Sequence, residues 1–212
     1  MKVLSLISGG IDSPVASALA LEQGAEVEFI HFDNMPFSDG RALEKVRQIL
    51  ELLSKEFNRK FNLYIIPHGE IQKEILKLVE RKYTCVICRR EMFRASEIVA
   101  KEIGADALLT GESMGQVASQ TLHNLRAEFG VNSLPVLRPL LGMDKLEIEA
   151  LAKKYKSFEL SIMPGMCCSL VPDRPATKAR VEQICQEEMK FDALALAKEA
   201  SRKKKVETIG AK

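Results

Sequence analysis

No part of the 212-residue sequence is apolar over the ~20 residues that a membrane-spanning helix needs. The start of the chain also lacks the form of a secretory signal peptide, because one lysine and a short apolar run lead directly into Gly9-Gly10. These absences favour a cytoplasmic protein, in which thiols stay reduced. The five cysteines are odd in number and include one C-x-x-C pair, so we expect metal or redox chemistry rather than a disulfide framework.

Two common phosphate-binding motifs are also missing. The chain contains neither the Walker A pattern G-x-x-x-x-G-K-[ST] nor the dinucleotide pattern G-x-G-x-x-G. An excess of charge of one sign is absent as well, since 31 Lys and Arg residues oppose 29 Asp and Glu residues and leave a net charge of +2. This balance excludes nucleic-acid binding driven by bulk charge, although basic pairs such as Arg89-Arg90 can contact phosphates locally.

A different phosphate-binding loop is present near the start of the chain. Val3–Ile7 is a short aliphatic run typical of a buried parallel strand, and Pro14 suits the first turn of a helix. The glycines and hydroxyls between them let backbone N–H groups close around an anion at the positive end of that helix. The alternative is a strand-to-helix turn that binds no ligand. The candidate phosphate-binding residues are Ser8, Gly9, Gly10, Asp12 and Ser13.

Strand and helix patterns alternate along the chain, which predicts an α/β fold with a doubly wound, mostly parallel sheet and helices on both faces. We expect one domain over 1–180 and a helical tail over 181–212 whose lysine-rich end is frayed. Ser161–Thr177 lacks periodicity and is predicted to be a loop. The predicted strands are Val3–Ile7, Glu26–Phe32, Phe61–Ile66, Ala107–Thr110 and Leu134–Pro139, and the predicted helices are Pro14–Glu22, Gly40–Phe57, Ile71–Val79, Glu91–Ile103, Gly115–Phe129, Lys145–Tyr155 and Lys178–Ala200.

The carboxyl ends of the strands in such a sheet form the usual ligand site. His31-Phe32 ends the second strand, where a backbone edge and an aromatic ring could border an adenine. A hydrogen-bonded histidine beside a buried aromatic ring is the alternative interpretation. Gly111 and Gln120 follow the fourth strand, and Gly111 would permit a ligand to approach the backbone closely, although neither signal is specific alone.

Cys85 and Cys88 form the C-x-x-C pair, which suits a metal ion, an iron–sulfur cluster or a redox dithiol. Two thiolates cannot complete a four-ligand site, and the adjacent Cys167 and Cys168 are the obvious source of a further ligand. Two small buried apolar residues are the alternative interpretation of the pair. Cys185 falls among apolar residues at helical spacing, so we predict that it lies in the core.

Taken together, these segments resemble the pyrophosphatase domain of the tRNA 4-thiouridine synthetases, the uracil sulfurtransferase family that is also tied to thiamine biosynthesis. The match covers most of the chain, and its long Thr-Gly-Glu-Ser-Met-Gly-Gln-Val-Ala-Ser-Gln-Thr-Leu segment is much more specific than the phosphate loop. The matching segments are Leu6–Ala16, His31-Phe32, Cys88–Met92, Thr110–Leu122 and the stretch from Cys168 to Lys178-Ala179.

The resemblance implies a pyrophosphate-loop ATPase fold that uses ATP and Mg²⁺, with Asp12 either binding the Mg²⁺ or orienting the loop. It makes Cys168 the sulfur-handling position of the domain. The C-x-x-C pair resembles the archaeal-type branch, in which Cys85, Cys88 and Cys168 together hold an iron–sulfur cluster, with zinc or a disulfide as the competing outcomes. The residues implied to contact the nucleotide are Leu6, Ile7, His31, Phe32, Arg89, Gly111 and Gln120.

The activity implied by the resemblance is that of an ATP-dependent sulfurtransferase. A carbonyl oxygen, O4 of a tRNA uridine, is adenylated, and a sulfur donor then displaces AMP to give 4-thiouridine. The alternatives are an enzyme with the same loop that uses nitrogen, such as an amide ligase or a deazapurine nitrile synthase, and a non-catalytic adenine-nucleotide sensor. The family's ferredoxin-like and THUMP regions have no counterpart before the first strand, so we expect tRNA to be presented by a separate RNA-binding subunit or domain. A small-molecule substrate in place of tRNA is the alternative. A homodimer is a further expectation.

Overall fold

In a computed structural model that describes residues 1–115, 120–164 and 168–210, the strands form one sheet in the order β5-β4-β1-β2-β3-β6. Every pairing is parallel except that of β6, which runs antiparallel to β3. The doubly wound, mostly parallel α/β fold predicted from the sequence is confirmed. The strands are β1 (Lys2–Leu6), β2 (Glu26–Asp33), β3 (Phe61–Pro67), β4 (Ala107–Leu109), β5 (Val136–Leu137) and β6 (Lys205–Ile209).

Helices cover both faces of the sheet, and each face has its own core. Phe29, Leu50 and Leu53 belong to the core beneath α1 and α2, whereas Ile66 and Phe93 belong to the core beneath α3 and α4. None of the helices within the described residues has the length and apolar character needed to cross a bilayer. The helices are α1 (Asp12–Glu22), α2 (Arg41–Phe57), α3 (Gly69–Leu78), α4 (Thr84–Glu102), α5 (Leu122–Glu128), α6 (Lys145–Lys154), α7 (Phe158–Ile162), α8 (Val181–Glu188) and α9 (Ala193–Arg202), with a 3₁₀ turn at Arg81–Tyr83.

Two helices differ from the sequence-based boundaries in a way that affects the candidate site. Helix α4 begins at Thr84, seven residues before the predicted start at Glu91, so the C-x-x-C pair lies in its first turns. The residues from Thr84 onward bury Val86 and Ile87 in the core, and this burial extends the helix. Helix α5 begins only at Leu122, because Thr121 caps it by accepting a hydrogen bond from the Asn124 backbone N–H, and Gln120 therefore precedes the helix.

The end of the chain also departs from expectation. The predicted helix over Lys178–Ala200 is two helices, α8 and α9, and α9 packs against α4. The lysine-rich end is not frayed, because Lys205–Ile209 forms strand β6 on the edge of the sheet. The Arg47 guanidinium makes two hydrogen bonds, of 2.8 and 2.9 Å, to the Glu207 carboxylate and ties this edge to α2. Strand β6 therefore depends on long-range pairing with β3, which local sequence patterns do not indicate.

Strand β1 lies between β4 and β2, so the chain winds in one direction through β2 and in the other through β4. The crevice beyond the carboxyl ends of strands at such a switch point is the expected ligand site in an open α/β sheet. The segment that leaves β1 there is the Ser8–Ser13 loop. The topology therefore puts the candidate phosphate loop at the centre of that edge.

Candidate active site

A cavity of about 610 Å³ lies beyond the carboxyl ends of the central strands. Its size falls in the range of small-molecule sites. All twelve residues that the sequence and the resemblance indicated for a nucleotide line it, although they come from five separate segments of the chain. They are Leu6, Ile7, Ser8, Gly9, Gly10, Asp12, Ser13, His31, Phe32, Arg89, Gly111 and Gln120.

The phosphate loop is held in shape by its two serines. The Ser8 backbone N–H donates to Ser13 Oγ at 2.9 Å, and the two hydroxyl oxygens lie 3.0 Å apart. The Gly10 N–H donates to Ser8 Oγ at 3.4 Å. Helix α1 starts at Asp12, and no side chain among the described residues caps it at the N-cap residue Ile11. The N–H groups of its first turn are therefore available to an anion, whose charge the helix dipole favours.

Gly111 packs directly onto this loop. A Cβ atom at position 111 would lie 2.4 Å from the Ser13 backbone nitrogen and 2.6 Å from the Asp12 carbonyl carbon. Only a glycine allows the exit of β4 to approach the start of α1 so closely. The sequence analysis predicted that Gly111 lets a ligand approach the backbone closely. In the structure, the phosphate loop itself makes this close approach.

Asp12 stands at the start of α1, facing the cavity. Burial raises the pKa of its carboxyl group, and the nearby Lys145 ammonium opposes that shift. Lys145 was not identified from the sequence, because it is the first residue of α6 and nothing local connects it to the loop. Together the two residues place opposite charges beside the phosphate loop.

His31 and Phe32 both line the cavity and are both buried. The Nδ1 atom of His31 lies 3.0 Å from the Ile7 carbonyl oxygen, and burial lowers the pKa of the ring, so the neutral ring donates from Nδ1. The Phe32 ring meets the His68 ring edge-on at a centroid distance of 5.3 Å. The His31 side chain therefore ties β2 to β1, as the alternative interpretation predicted, while the residue still borders the cavity.

Arg89 is held at the cavity by a buried carboxylate that the sequence did not single out. Its Nε and Nη2 atoms donate to Glu112 Oε1 at 3.0 and 2.7 Å, and Arg138 Nε donates to Glu112 Oε2 at 2.6 Å. Burial alone would raise the pKa of Glu112, but the two guanidinium groups outweigh it and hold the pKa at about 2. Glu112 stood within the Thr110–Leu122 match, and the arginines it pairs with lie on α4 and after β5.

A second buried carboxyl group faces this network. Burial, together with the neighbouring Glu112 carboxylate, raises the pKa of Glu128 to about 8, although Arg89 and Arg138 oppose the shift. Glu128 therefore keeps its proton to a higher pH than Glu112 does. While Glu128 is protonated, one carboxylate opposes two guanidinium groups, and the edge of the cavity at Arg89 is net positive and suited to a phosphate.

The structure brings Cys88 and Cys168 together. The side-chain amide nitrogen of Gln72 lies 3.5 Å from the sulfur of Cys168 and 3.9 Å from that of Cys88, so one donor touches both sulfurs. Cys85 lies one helical turn before Cys88 on α4, and Cys168 also lines the cavity. Burial, followed by the neighbouring cysteines, raises the pKa of Cys88 to about 12, and burial also raises the pKa of Cys85. Both thiols are therefore neutral at pH 7.

The segment that carries Cys168 is irregular, but the residues that follow this cysteine are anchored by hydrogen bonds. The Ser169 N–H donates to the Phe37 carbonyl at 3.1 Å, and the Ala176 N–H donates to the Lys82 carbonyl at 2.9 Å. The Asn124 side chain adds a bond of 2.7 Å to the Ala176 carbonyl. These bonds set the path of the segment, so Cys168 reaches α4 although no secondary structure places it there.

The donor chemistry of the three cysteines fits a soft metal centre, since thiolates are the preferred ligands of zinc and of iron–sulfur clusters. Among residues 1–115, 120–164 and 168–210, however, no three His, Cys, Asp or Glu side chains are arranged to hold a metal ion. Cys167 lies outside the described residues.

Cys185 is exposed and does not lie in the core, where the sequence analysis predicted it, because Ile184 takes the buried position of α8.

Two further side chains at the cavity, Lys45 and Asn34, were missed from the sequence. Lys45 Nζ donates to the carbonyls of Ser161 and Met163 at 2.9 and 2.8 Å, and its stem passes beside Gly9. Asn34 and Gln120, of which only Gln120 was predicted, each have a buried side-chain oxygen without a hydrogen-bond partner in the described structure. Buried acceptors of this kind need donors, which ribose hydroxyls or an exocyclic amine would supply.

Comparison with models of known protein families shows which family this chain belongs to. The model of the family "Thiamine biosynthesis protein (ThiI)" matches residues 1–193. The chain belongs to the ThiI family. Two curated members, both named probable tRNA sulfurtransferase, come from Acetivibrio thermocellus (44% identity over 210 residues) and Thermus thermophilus (43% over 201 residues). They match 98% and 92% of this chain, and the chain spans 53% and 49% of their own lengths.

A solved structure extends the match to three dimensions. A 4-thiouridine synthetase in complex with RNA and bound ATP matches 98% of this chain with a TM-score of 0.93 and 42% identity, over 55% of its own length. The NMN synthetase of Francisella tularensis, at 16% identity and a TM-score of 0.55, shares the fold alone. This chain thus corresponds to about half of the longer ThiI proteins it resembles, and its fold is that of the pyrophosphate-loop ATPases.

Proposed function

We propose that this chain is the catalytic part of an ATP-dependent sulfurtransferase that converts a tRNA uridine to 4-thiouridine. The observation that carries the proposal is that Cys168 and the Ser8–Ser13 loop line the same cavity. A phosphate loop alone would suit many ATPases, and a cysteine alone many thiol enzymes, but a thiol facing the nucleotide site suits sulfur transfer to an adenylated carbon. The names of the relatives and the bound ATP of the solved neighbour support this proposal.

In the first step, O4 of the uridine attacks the α-phosphorus of ATP. The new bond joins O4 to phosphorus, the bond from the α-phosphorus to the bridging oxygen breaks, and pyrophosphate leaves while N3 loses its proton. The N–H groups at the start of α1 and the Arg89 guanidinium face the developing charge. Fixed donors of this kind stabilise the transition state more than water does, because they need not reorganise during the reaction.

In the second step, a sulfur at the oxidation level of sulfide attacks C4 of the adenylated uridine, and AMP leaves with the bonding electrons. Cys168 is the residue that handles this sulfur. By their chemistry, Cys85, Cys88 and Cys168 are the candidate ligands of an iron–sulfur cluster, which would present an exchangeable sulfide, although the described residues form no ready-made metal site. Zinc is the less favoured occupant. Asp12 would hold Mg²⁺ at the phosphates, because it is the acidic residue next to the loop.

The test compares the double variant Asp12→Ala/Ser13→Ala with the intact chain. Ser13→Ala removes the acceptor of the Ser8 N–H bond and Asp12→Ala removes the carboxylate beside the loop. Unmodified tRNA, ATP, Mg²⁺ and sulfide are supplied, together with an RNA-binding partner if the chain requires one, and pyrophosphate and 4-thiouridine are measured. We expect the double variant to keep its melting temperature and to lose pyrophosphate release. Unchanged release would refute the assignment of the loop.

The alternatives predict other results in the same assay. A nitrogen-using enzyme would release pyrophosphate only with ammonia and would contain zinc, which iron, sulfide and zinc analysis of anaerobically purified protein would reveal. An adenine-nucleotide sensor would bind ATP without releasing pyrophosphate. A sensor has no need of cysteines at the phosphate site, and the shared cavity therefore favours the sulfurtransferase.

The tRNA is presented by a separate RNA-binding subunit or domain, because the 212-residue sequence has a net charge of only +2 and so offers few phosphate contacts. The reaction takes place in the cytoplasm, where the cysteines stay reduced. The same chemistry would serve thiamine biosynthesis, to which the family description refers. We also propose that two copies of this chain form a homodimer.

A further inference from the structure

Two buried polar side chains at the start of α3 touch the sulfur pair and have no part in the mechanism above. His68 Nε2 lies 3.1 Å from the Cys88 sulfur, and Gln72, one helical turn later, donates to both Cys88 and Cys168. His68 is fully buried and Gln72 is 2% exposed. They therefore form one polar wall against the two sulfurs.

This wall cannot easily shift. The His68 backbone N–H donates to the Asp33 carbonyl at 2.8 Å, and the His68 ring packs against Phe32. A Cβ at the next residue, Gly69, would lie 1.8 Å from the Met35 carbonyl oxygen. The start of α3 therefore packs in direct contact with the segment after β2. The orientation of the two side chains relative to the nucleotide cavity is consequently built into the fold.

A contribution to the stability of the fold does not explain why His68 and Gln72 are polar. His68 Nδ1 and Gln72 Oε1 are both buried and have no hydrogen-bond partner among the described residues. Each such atom loses its bonds to water without replacement, which costs stability, and apolar side chains of similar size would avoid that cost. Two unsatisfied polar groups side by side against two sulfurs indicate a functional constraint.

We propose that Gln72 and His68 are positioning residues of the sulfur centre. Gln72 holds the Cys168 sulfur closer to Cys88 than to Cys85, and His68, from the same wall, keeps Cys88 in place. The sulfur carried at Cys168 then faces the cavity beside Arg89, which is the place where the adenylated substrate would be attacked. This inference rests on the proposed function for its purpose, but the positioning itself is a property of the metal-free chain.

The experiment measures which cysteine pairs with Cys168. The metal-free, reduced protein is treated briefly with diamide, and peptide mass spectrometry gives the ratio of the Cys88–Cys168 to the Cys85–Cys168 disulfide. Because Gln72 touches Cys88 and Cys168 but makes no such bond to Cys85, we expect Gln72→Met to lower this ratio about fivefold, the effect of losing one hydrogen bond. The variant Gln186→Glu, on the exposed face of α8, should leave the ratio unchanged.

The ratio is an internal measure, so a uniform loss of stability does not imitate the result. The same protein in urea gives the unfolded reference ratio, and far-UV circular dichroism reports folding. If Gln72→Met does not fold, Gln72→Glu replaces it, since the carboxylate keeps the shape and removes the N–H donor. A ratio within twofold of the intact chain in a folded variant would overturn the proposal. ATP binding and pyrophosphate release test the function separately, because the disulfide measurement needs neither tRNA nor nucleotide.

Discussion

A Cβ atom on Gly111 would lie 2.4 Å from the backbone nitrogen of Ser13, so the exit of β4 and the phosphate loop can meet only through a glycine. The contact joins the long Thr110–Leu122 segment of the sequence match to the phosphate loop, which is the less specific of the two. The segment after β4 is therefore packed directly against the phosphate loop.

Gly111→Ala should therefore weaken ATP binding by about tenfold or more, because the added methyl group forces the loop away from its anion-binding shape. Isothermal titration calorimetry with ATP measures the effect. Gly142→Ala is the matched control, since a Cβ there meets nothing within 4 Å. Equal ATP affinity in the two variants would show that Gly111 does not shape the site.

Lys145→Met should move the acid limb of the pH–activity profile upward. Burial raises the pKa of Asp12 and Lys145 counteracts this shift, so removing the ammonium favours the protonated carboxyl. If ionised Asp12 is required, activity is then lost at a higher pH as the medium is acidified. Pyrophosphate release measured from pH 5 to pH 9 gives the profile, with Lys153→Met on the same helix as the control. A profile that does not move would remove Lys145 from the site.

Glu128→Gln should flatten the dependence of stability on pH. The pKa of Glu128 is about 8 in the native protein, whereas in the unfolded chain the carboxyl group loses its proton near its ordinary pKa of 4.5. Stability therefore falls as the pH rises between these values, by up to about 1.4 kcal/mol per pH unit. Burial likewise raises the pKa of Glu91, to about 7, so part of the slope should persist.

Urea unfolding at pH 5, 6, 7 and 8 measures the free energy of unfolding for this comparison. Glu51→Gln, at an exposed position of α2, is the control and should keep the full slope of the intact chain. An equal slope in the Glu128→Gln variant would mean that Glu128 is ionised in the native state. The charge balance around Arg89 would then be neutral rather than positive.

The isolated chain should bind tRNA only weakly. With a net charge of +2 it offers few phosphate contacts, and non-specific binding of this kind lies in the micromolar range or weaker at physiological salt. Fluorescence anisotropy with labelled tRNA at 50 and 200 mM salt measures both the affinity and its salt dependence. Tight and sequence-selective binding by this chain alone would contradict the need for an RNA-binding partner.

Much of the fold could be predicted because its signals are local. The aliphatic run before Ser8, the amphipathic pattern of α2 and the glycine after α4 are each contained within one element, and β1, α2 and the end of α4 lie close to where these patterns place them. The exceptions are elements whose structure depends on distant partners. Strand β6 forms only because β3 has a free edge, and the first turns of α4 form because Val86 and Ile87 are buried.

The sequence by itself determined the phosphate loop, the alternation of strands and helices and the C-x-x-C pair, since short spacings carry all three. Only the tertiary structure decided that Glu112 and Arg138 hold Arg89, that Lys145 faces Asp12, and that Gln72 bridges Cys88 and Cys168. These contacts join residues tens of positions apart, and hydrogen bonds and ion pairs act over a few ångströms in space without regard to separation along the chain. A site assembled in this way becomes visible once the sheet has brought its segments to one edge.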